Sequence, residues 1–251
     1  MKYLICASLL LCSLPAFAQP HIGIDAWGWH LDGQVRNQGD SLDFSDDLQI
    51  DARGSSVWQL GWRSDGGWWP SLAGQYSRLR ADGEGQVPAG TSFGPITFTA
   101  AGPVLGGDED VTVFSETDFT ETDLLLSWRL PWWGLDAGLR VRRLDGVVLI
   151  QEQGGESDRQ NFDETVPLLH LAKRWGGDSF SVGLRGDWIS DGDSSAYEWA
   201  AGLRWAGFGP LAINFEWQRK RYDIFTRGGD YQLDAQLSGP RLGLELQLPS
   251  R

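Results

Sequence analysis

The sequence predicts an all-β protein: a closed, antiparallel, up-and-down barrel that crosses a membrane with its strands. Three observations carry that prediction. Apolar and polar residues alternate with period two through window after window, as strands with unlike faces require. The alternating segments run about 9 to 12 residues, the length a tilted strand needs to cross a bilayer, against roughly 5 to 6 for an ordinary strand. Connections alternate between short and long, and aromatics collect near segment ends, where rings sit at the level of lipid headgroups. A secreted β-sandwich also alternates, with its apolar face turned to a core instead of lipid. It is the competing fold.

The chain opens with a segment that stands apart. Lys2 supplies a positive end, Leu4 to Leu14 an apolar core, and Ala16-Phe17-Ala18 a small-x-small cleavage site. Residues 1–18 therefore read as a cleaved signal peptide and residues 19–251 as the barrel domain. Cys6 and Cys12 both lie in the leader, each after a large residue (Ile5, Leu11) that argues against a lipoprotein site. Past the leader there is no thiol, which excludes disulfides, cysteine nucleophiles and Cys-ligated metals. No later run reaches 18 apolar residues, so membrane-spanning helices are excluded too. The 251 residues carry 21 Lys+Arg against 34 Asp+Glu, a net charge of −13 that repels a nucleic-acid backbone. With 12% aromatic and 41% hydrophobic residues, this is no disordered acidic tail.

Ten segments follow, at 21–33, 55–64, 70–83, 118–130, 134–146, 162–174, 179–189, 195–206, 211–223 and 240–248. The first, third and sixth alternate least cleanly, and Pro167 interrupts the sixth. In the fourth, Thr122, Leu124, Leu126, Trp128 and Leu130 oppose Asp123, Leu125, Ser127 and Arg129. In the fifth, Leu135, Ala137, Leu139 and Val141 oppose Asp136, Gly138, Arg140 and Arg142. The eighth sets Trp199, Ala201, Leu203 and Trp205 against Glu198, Gly202 and Arg204, and the last sets Leu242, Leu244 and Leu246 against Arg241 and Glu245. Short connections at 65–69, 131–133, 175–178 and 207–210 carry Gly or Pro for the turn and an aromatic for the interface. Longer ones lie at 34–54, 84–117, 147–161 and 224–239, with a tight one at 190–194. An even strand count puts both termini on the short-turn side, expected to be periplasmic. That parity supports ten strands, or eight if two segments are misread.

With the apolar face toward lipid, the lumen collects both signs of charge. The acids are Glu121, Asp123, Asp136, Asp187, Glu198, Glu216 and Glu245; the bases are Arg63, Arg129, Arg140, Arg142, Arg185, Arg204, Lys220 and Arg241. These nearly cancel, so the excess negative charge belongs to the loops. A barrel this small holds little beyond its own inward side chains, and ion pairing would offset their desolvation. Structural packing is the expectation, a narrow polar conduit or small-molecule site the alternative, and a wide diffusion pore does not fit. In the loops, Asp40, Asp43, Asp46, Asp47 and Asp51 crowd the first excursion and Asp108, Glu109 and Asp110 the second. They match no EF-hand pattern; a solvated surface is expected, with divalent-ion bridging to lipopolysaccharide as the sharper reading. Of His21, His30 and His170, only His30, beside Asp32, merits testing as a base. No His-x-Ser occurs, and the glycine pairs 154–155 and 228–229 lack the strand–loop–helix setting of a phosphate cradle. The expectation is no enzyme, no catalytic residues, no metal and no cofactor.

Several stretches carry a family resemblance: Gly23-x-x-x-Trp27, Asp43-Phe44-Ser45-Asp46-Asp47-Leu48, Phe93-Gly94-Pro95-Ile96-Thr97-Phe98, Asp118-Phe119-Thr120 and Leu135-Asp136-Ala137-Gly138-Leu139. On these the chain resembles proteobacterial outer-membrane β-barrel proteins, loosely OmpW-like. The resemblance implies an integral outer-membrane location in a Gram-negative bacterium, with no established activity. By analogy it implies passage of small hydrophobic molecules by a lateral route. One departure is the end, Leu246-Gln247-Leu248-Pro249-Ser250-Arg251, which lacks the terminal aromatic that helps barrel assembly machinery recognise a last strand. The functional expectation is a non-enzymatic barrel, either structural or passing small solutes. The alternatives are a receptor or adhesin acting through 84–117, and a barrel hydrolase. Outer-membrane lipids, lipopolysaccharide, the assembly machinery and a small solute are the expected partners, and nucleic acid is not.

Overall fold

A computed structural model describes residues 18–37, 39–51, 53–64, 69–99, 110–131, 133–191, 194–225 and 231–248. Its strands are β1 (Ala18–Asn37), β2 (Asp40–Asp43), β3 (Arg53–Ser64), β4 (Ser71–Pro88), β5 (Ser92–Phe93), β6 (Ile96–Thr97), β7 (Asp110–Leu130), β8 (Leu135–Glu152), β9 (Ser157–Gly176), β10 (Phe180–Asp191), β11 (Ser194–Phe208), β12 (Leu211–Phe225) and β13 (Tyr231–Gln247). Apart from the short β2, β5 and β6, each strand pairs antiparallel with the next. β13 then pairs with β1, from His21↔Gln247 to Asn37↔Tyr231, and closes a ring of ten. Closure pairs each strand of the ring on both sides through the apolar band, which a bilayer interior demands.

The leucine rows face outward. Leu60 is 63% exposed and Leu242 57%, while their in-strand neighbours Gly61 and Arg241 are buried. A sandwich would invert this, so the competing fold is excluded. Aromatics border the apolar band at both ends. Trp58, Tyr76, Trp188, Trp199 and Trp217 lie toward the loops, and Trp69, Trp133, Trp175, Trp205 and Phe208 toward the short turns.

Each of the ten sequence segments falls on a strand, but several strands run further toward the loops. Segment 240–248 is only the end of β13, 118–130 the end of β7 and 134–146 part of β8. The expected excursions shrink accordingly: 147–161 becomes a tight connection between β8 and β9, and 84–117 loses its flanks to β4 and β7. The reason is an exchange of chemistry between the two faces. On β8 the outward row changes from Leu139 and Val141 to Arg143 and Asp145, while the inward row changes from Arg140 and Arg142 to Leu144, Val148 and Ile150. Above the lipid band the wall is polar outside and apolar inside, as in a water-soluble barrel.

Loops from the far end fold into that apolar interior. Phe44, Leu48 and Ile50 between β2 and β3, and Phe93, Ile96 and Phe98 around the β5–β6 hairpin, are all buried with Trp29, Val35, Val113, Phe162 and Leu233. Two glycines make room. A Cβ on Gly83 would stand 2.2 Å from the Leu48 carbonyl oxygen, and one on Gly85 1.8 Å from that of Asp47. Among the loop acids, Asp43 is not free: it accepts from the Ser45 N–H and Oγ (both 2.8 Å) and the Asp46 N–H (3.0 Å) and so shapes the turn. Of the leader, residues 1–17 lie outside the described residues, as do Asp108 and Glu109; Asp110 opens β7.

Candidate functional site in the barrel lumen

Inward positions on adjacent strands converge because the ladder register aligns them. Asp123 of β7 opposes Arg142 of β8, and Glu198 of β11 opposes Asp187 of β10 and Lys220 of β12. From these positions side chains cross the lumen. Arg142 donates to Asp123 (2.7 and 2.8 Å), to Glu198 from β11 (2.5 Å) and to the Tyr222 hydroxyl from β12 (2.8 Å). That hydroxyl donates to Glu121 at 3.0 Å, and Glu121 also receives Lys220. Glu198 further accepts from Arg185 and Gln218, each at 2.7 Å. Arg140 donates to Asp123 at 2.9 Å and lies 3.2 Å from Asp187, and Arg185 reaches Glu216 at 2.9 Å.

Of the residues expected in the lumen, the structure brings Glu121, Asp123, Arg140, Arg142, Arg185, Asp187, Glu198, Glu216 and Lys220 into this one cluster. Arg241 instead pairs with Asp25, and Arg204 with Glu245 at 3.2 Å nearer the turns. Arg63 and Asp136 are only partly buried. Arg129 departs from expectation: it keeps the inward register, opposite Asp136, but sits at the open end of β7 and is solvent-exposed. Alternation fixes the face of a residue and leaves its depth open.

Asp25, His170, Gln218 and Tyr222 also belong to the lumen but were not among the charges expected there. Asp25 receives Arg241 and Gln59, and His170 is buried with Nδ1 2.7 Å from Asp187 Oδ1. Gln218 lies on the polar face of the ninth segment with Glu216, and Tyr222 is in phase with them and Lys220 on β12, so that phase could have found it. Asp25 was harder. β1 turns Trp27 and Trp29 inward and Ala26 and Gly28 outward, and so shows no polar contrast. His30, the histidine singled out as a base, lies 3.0 Å from Asp32, but both are exposed on the outer wall, away from the lumen.

The ionic layer ends under aromatic rings. Lys220 Nζ lies 5.0 Å from the Trp27 ring centroid and the Arg142 guanidinium 5.8 Å from that of Tyr222. Above Tyr222, a void of about 30 Å³ lies among Trp29, Leu79, Phe119, Leu144 and Phe162. Among the described residues no group of three or more His, Cys, Asp or Glu has the arrangement to hold a metal ion. Chemically, the arrangement is a set of paired, buried charges beneath an aromatic layer.

No family model matches the chain, and no curated protein matches it. Solved structures do. The outer membrane protease OmpT from Escherichia coli aligns at 11% identity over 92% of this chain and 97% of its own, with a TM-score of 0.57. The translocator domain of the autotransporter NalP from Neisseria meningitidis aligns at 12% identity over 98% and 94% (TM-score 0.47). Ail, the attachment invasion locus protein of Yersinia pestis, aligns at 9% over 92% and 99% (TM-score 0.40). The likeness to OmpT is one of fold: this chain is an antiparallel transmembrane β-barrel of the outer-membrane type.

Proposed function

We propose that the chain is exported by residues 1–18, inserts in the bacterial outer membrane and serves there as a sealed, non-enzymatic structural barrel rather than a conduit. The observation that supports this reading is the double closure of the lumen. A buried ionic cluster joins β7, β8, β11 and β12 across the interior, and two inserted loops fill the space above it with Phe44, Leu48, Phe93 and Phe98. Opening a path would strand buried charges, which costs several kcal/mol for each. The finer OmpW-like reading, passage of small hydrophobic solutes, rests on the sequence motifs alone. Of those, the Phe93–Phe98 stretch is part of the inserted cap.

The test is efflux of small solutes from liposomes holding the folded protein. Rates equal to those of protein-free liposomes are expected, and size-dependent release would refute a seal. A receptor is the second reading, favoured by a solvent-open groove of about 530 Å³ on the wall above the lipid band, lined by Asp51, Arg53, Asp82, Glu84, Phe114 and Glu116.

A further inference from the structure

The lipid-facing rows end at a common level. On β12 the outward row runs Ile213, Phe215, Trp217 and then Arg219. On β4 Tyr76 is followed by Arg78, and on β8 Val141 by Arg143. Each arginine thus stands one outward position beyond the lipid-facing apolar run of its strand, at headgroup depth. Two are neutralised: Arg78 by Asp118 at 2.6 Å and Arg143 by Asp163 at 3.1 Å. Arg219 has no carboxylate partner among the described residues. Its guanidinium donates to the Gln236 amide oxygen, and its buried Nε donates to nothing.

Register places Arg219 in a row of donors. Trp199 of β11, Arg219 of β12, Ser238 of β13 and His30 of β1 are successive cross-strand partners. Directly opposite residues hold their Cβ atoms about 4.5 to 5.5 Å apart. A tetrahedral anion on Arg219 is therefore within reach of the Ser238 hydroxyl, with the His30 ring beyond it. Trp217 and Pro240 form the next row toward lipid. The next row away holds Arg221, already paired with Asp234 at 3.1 Å, and Asp32, 3.0 Å from His30.

We propose that this row is a binding site for the phosphate of an outer-leaflet lipid headgroup, its acyl chains lying along Trp217 and Pro240. A guanidinium fork matches phosphate oxygens in geometry and is weakly hydrated, which suits the headgroup layer. The proposal rests on the barrel sitting in a membrane and is independent of whether its lumen conducts.

Native mass spectrometry of the folded, detergent-solubilised protein tests it, with bisphosphorylated lipid A against the same lipid dephosphorylated. Wild type should retain the phosphorylated lipid about tenfold better, the gain of a charge-assisted hydrogen-bond pair. Arg219→Gln should erase the preference, Arg219→Lys restore part of it, and Arg78→Gln leave it intact. A boiling-dependent gel shift shows that each variant is folded. Equal retention of the two lipids by wild type overturns the proposal without need of any variant. So does an undiminished preference in folded Arg219→Gln, or occupancy by inorganic phosphate with no preference between the lipids.

Discussion

Arg142 donates a 2.8 Å hydrogen bond to the hydroxyl of Tyr222 across the lumen, with β9, β10 and β11 between their strands. The contact joins the two layers of the interior, since Tyr222 carries ionic partners at its hydroxyl and apolar ones around its ring. Its neighbour Glu198 is the hub of the ionic layer, with Arg142, Arg185 and Gln218 bonded to it and Lys220 3.7 Å away.

Removing that hub should be costly. Glu198→Ala leaves Arg140, Arg142, Arg185 and Lys220 short of their shared anion in a buried cluster, and breaking a buried pair this way costs about 3 to 5 kcal/mol. Glu116→Ala, on the exposed outer wall, should change stability by less than about 0.5 kcal/mol. Urea unfolding in lipid vesicles measures both. Equal effects would mean that the cluster does not hold the barrel together.

The outward face should behave as a lipid face only within its apolar band. Leu203→Arg, in that band on β11, should cost about 2 to 4 kcal/mol if it lies near the bilayer midplane. Asp163→Arg, on the polar wall above, should cost little beyond its exposed pair with Arg143. The same unfolding assay separates them, and indifference at Leu203 would contradict the membrane placement of the band.

Packing of the first loop inside the barrel requires a bare backbone on β4. Gly85→Ala sets a methyl 1.8 Å from the Asp47 carbonyl oxygen, so the loop must withdraw. The expected result is faster hydrogen exchange at the Phe44 and Ile50 amides, which donate to the Gly33 and Phe44 carbonyls, with the ladder between β11 and β12 unchanged. Unaltered protection in the loop would show that it does not depend on Gly85.

Asp43 makes the same loop sensitive to acid. Burial raises the pKa of its carboxyl, but the N–H of Asp46 and the hydroxyl and N–H of Ser45 outweigh that and hold it below the usual carboxylate value. A carboxylate depressed in this way contributes stability above its unfolded pKa and loses it as pH falls through the lower, folded one. Protection of the Ser45 and Asp46 amides should therefore persist at neutral pH and decline below about pH 4. Asp43→Ala should remove roughly 1 kcal/mol of local stability at pH 7 and abolish that pH dependence. A decline that survives the substitution would assign it to another group.

The ring of ten was legible because lipid and lumen impose opposite chemistry on alternate residues, as Leu139 and Arg140 show. The outer third was not, because the same alternation runs on with its meaning reversed. Leu233 and Leu237 point inward while Leu242 and Leu244 point outward, because the apolar residues shift from odd to even positions across Ser238-Gly239-Pro240-Arg241, where no leucine marks the shift. The ionic site was legible where charges alternate with leucines, and Asp25 and His170 were missed where the flanking residues gave no contrast. Which charges meet across the lumen, as Arg142 and Glu198 do, depends on barrel closure and strand stagger, and no local pattern in the sequence encodes those.

Single-channel recording in planar bilayers is the most direct test of the sealed lumen. It should be made on the wild type and on a variant that combines Glu198→Ala with Phe93→Ala. A sealed lumen predicts no conducting steps from folded wild type and brief, small openings from the double variant. Stable, ohmic openings from the wild type would contradict it and make the ionic cluster the wall of a pore.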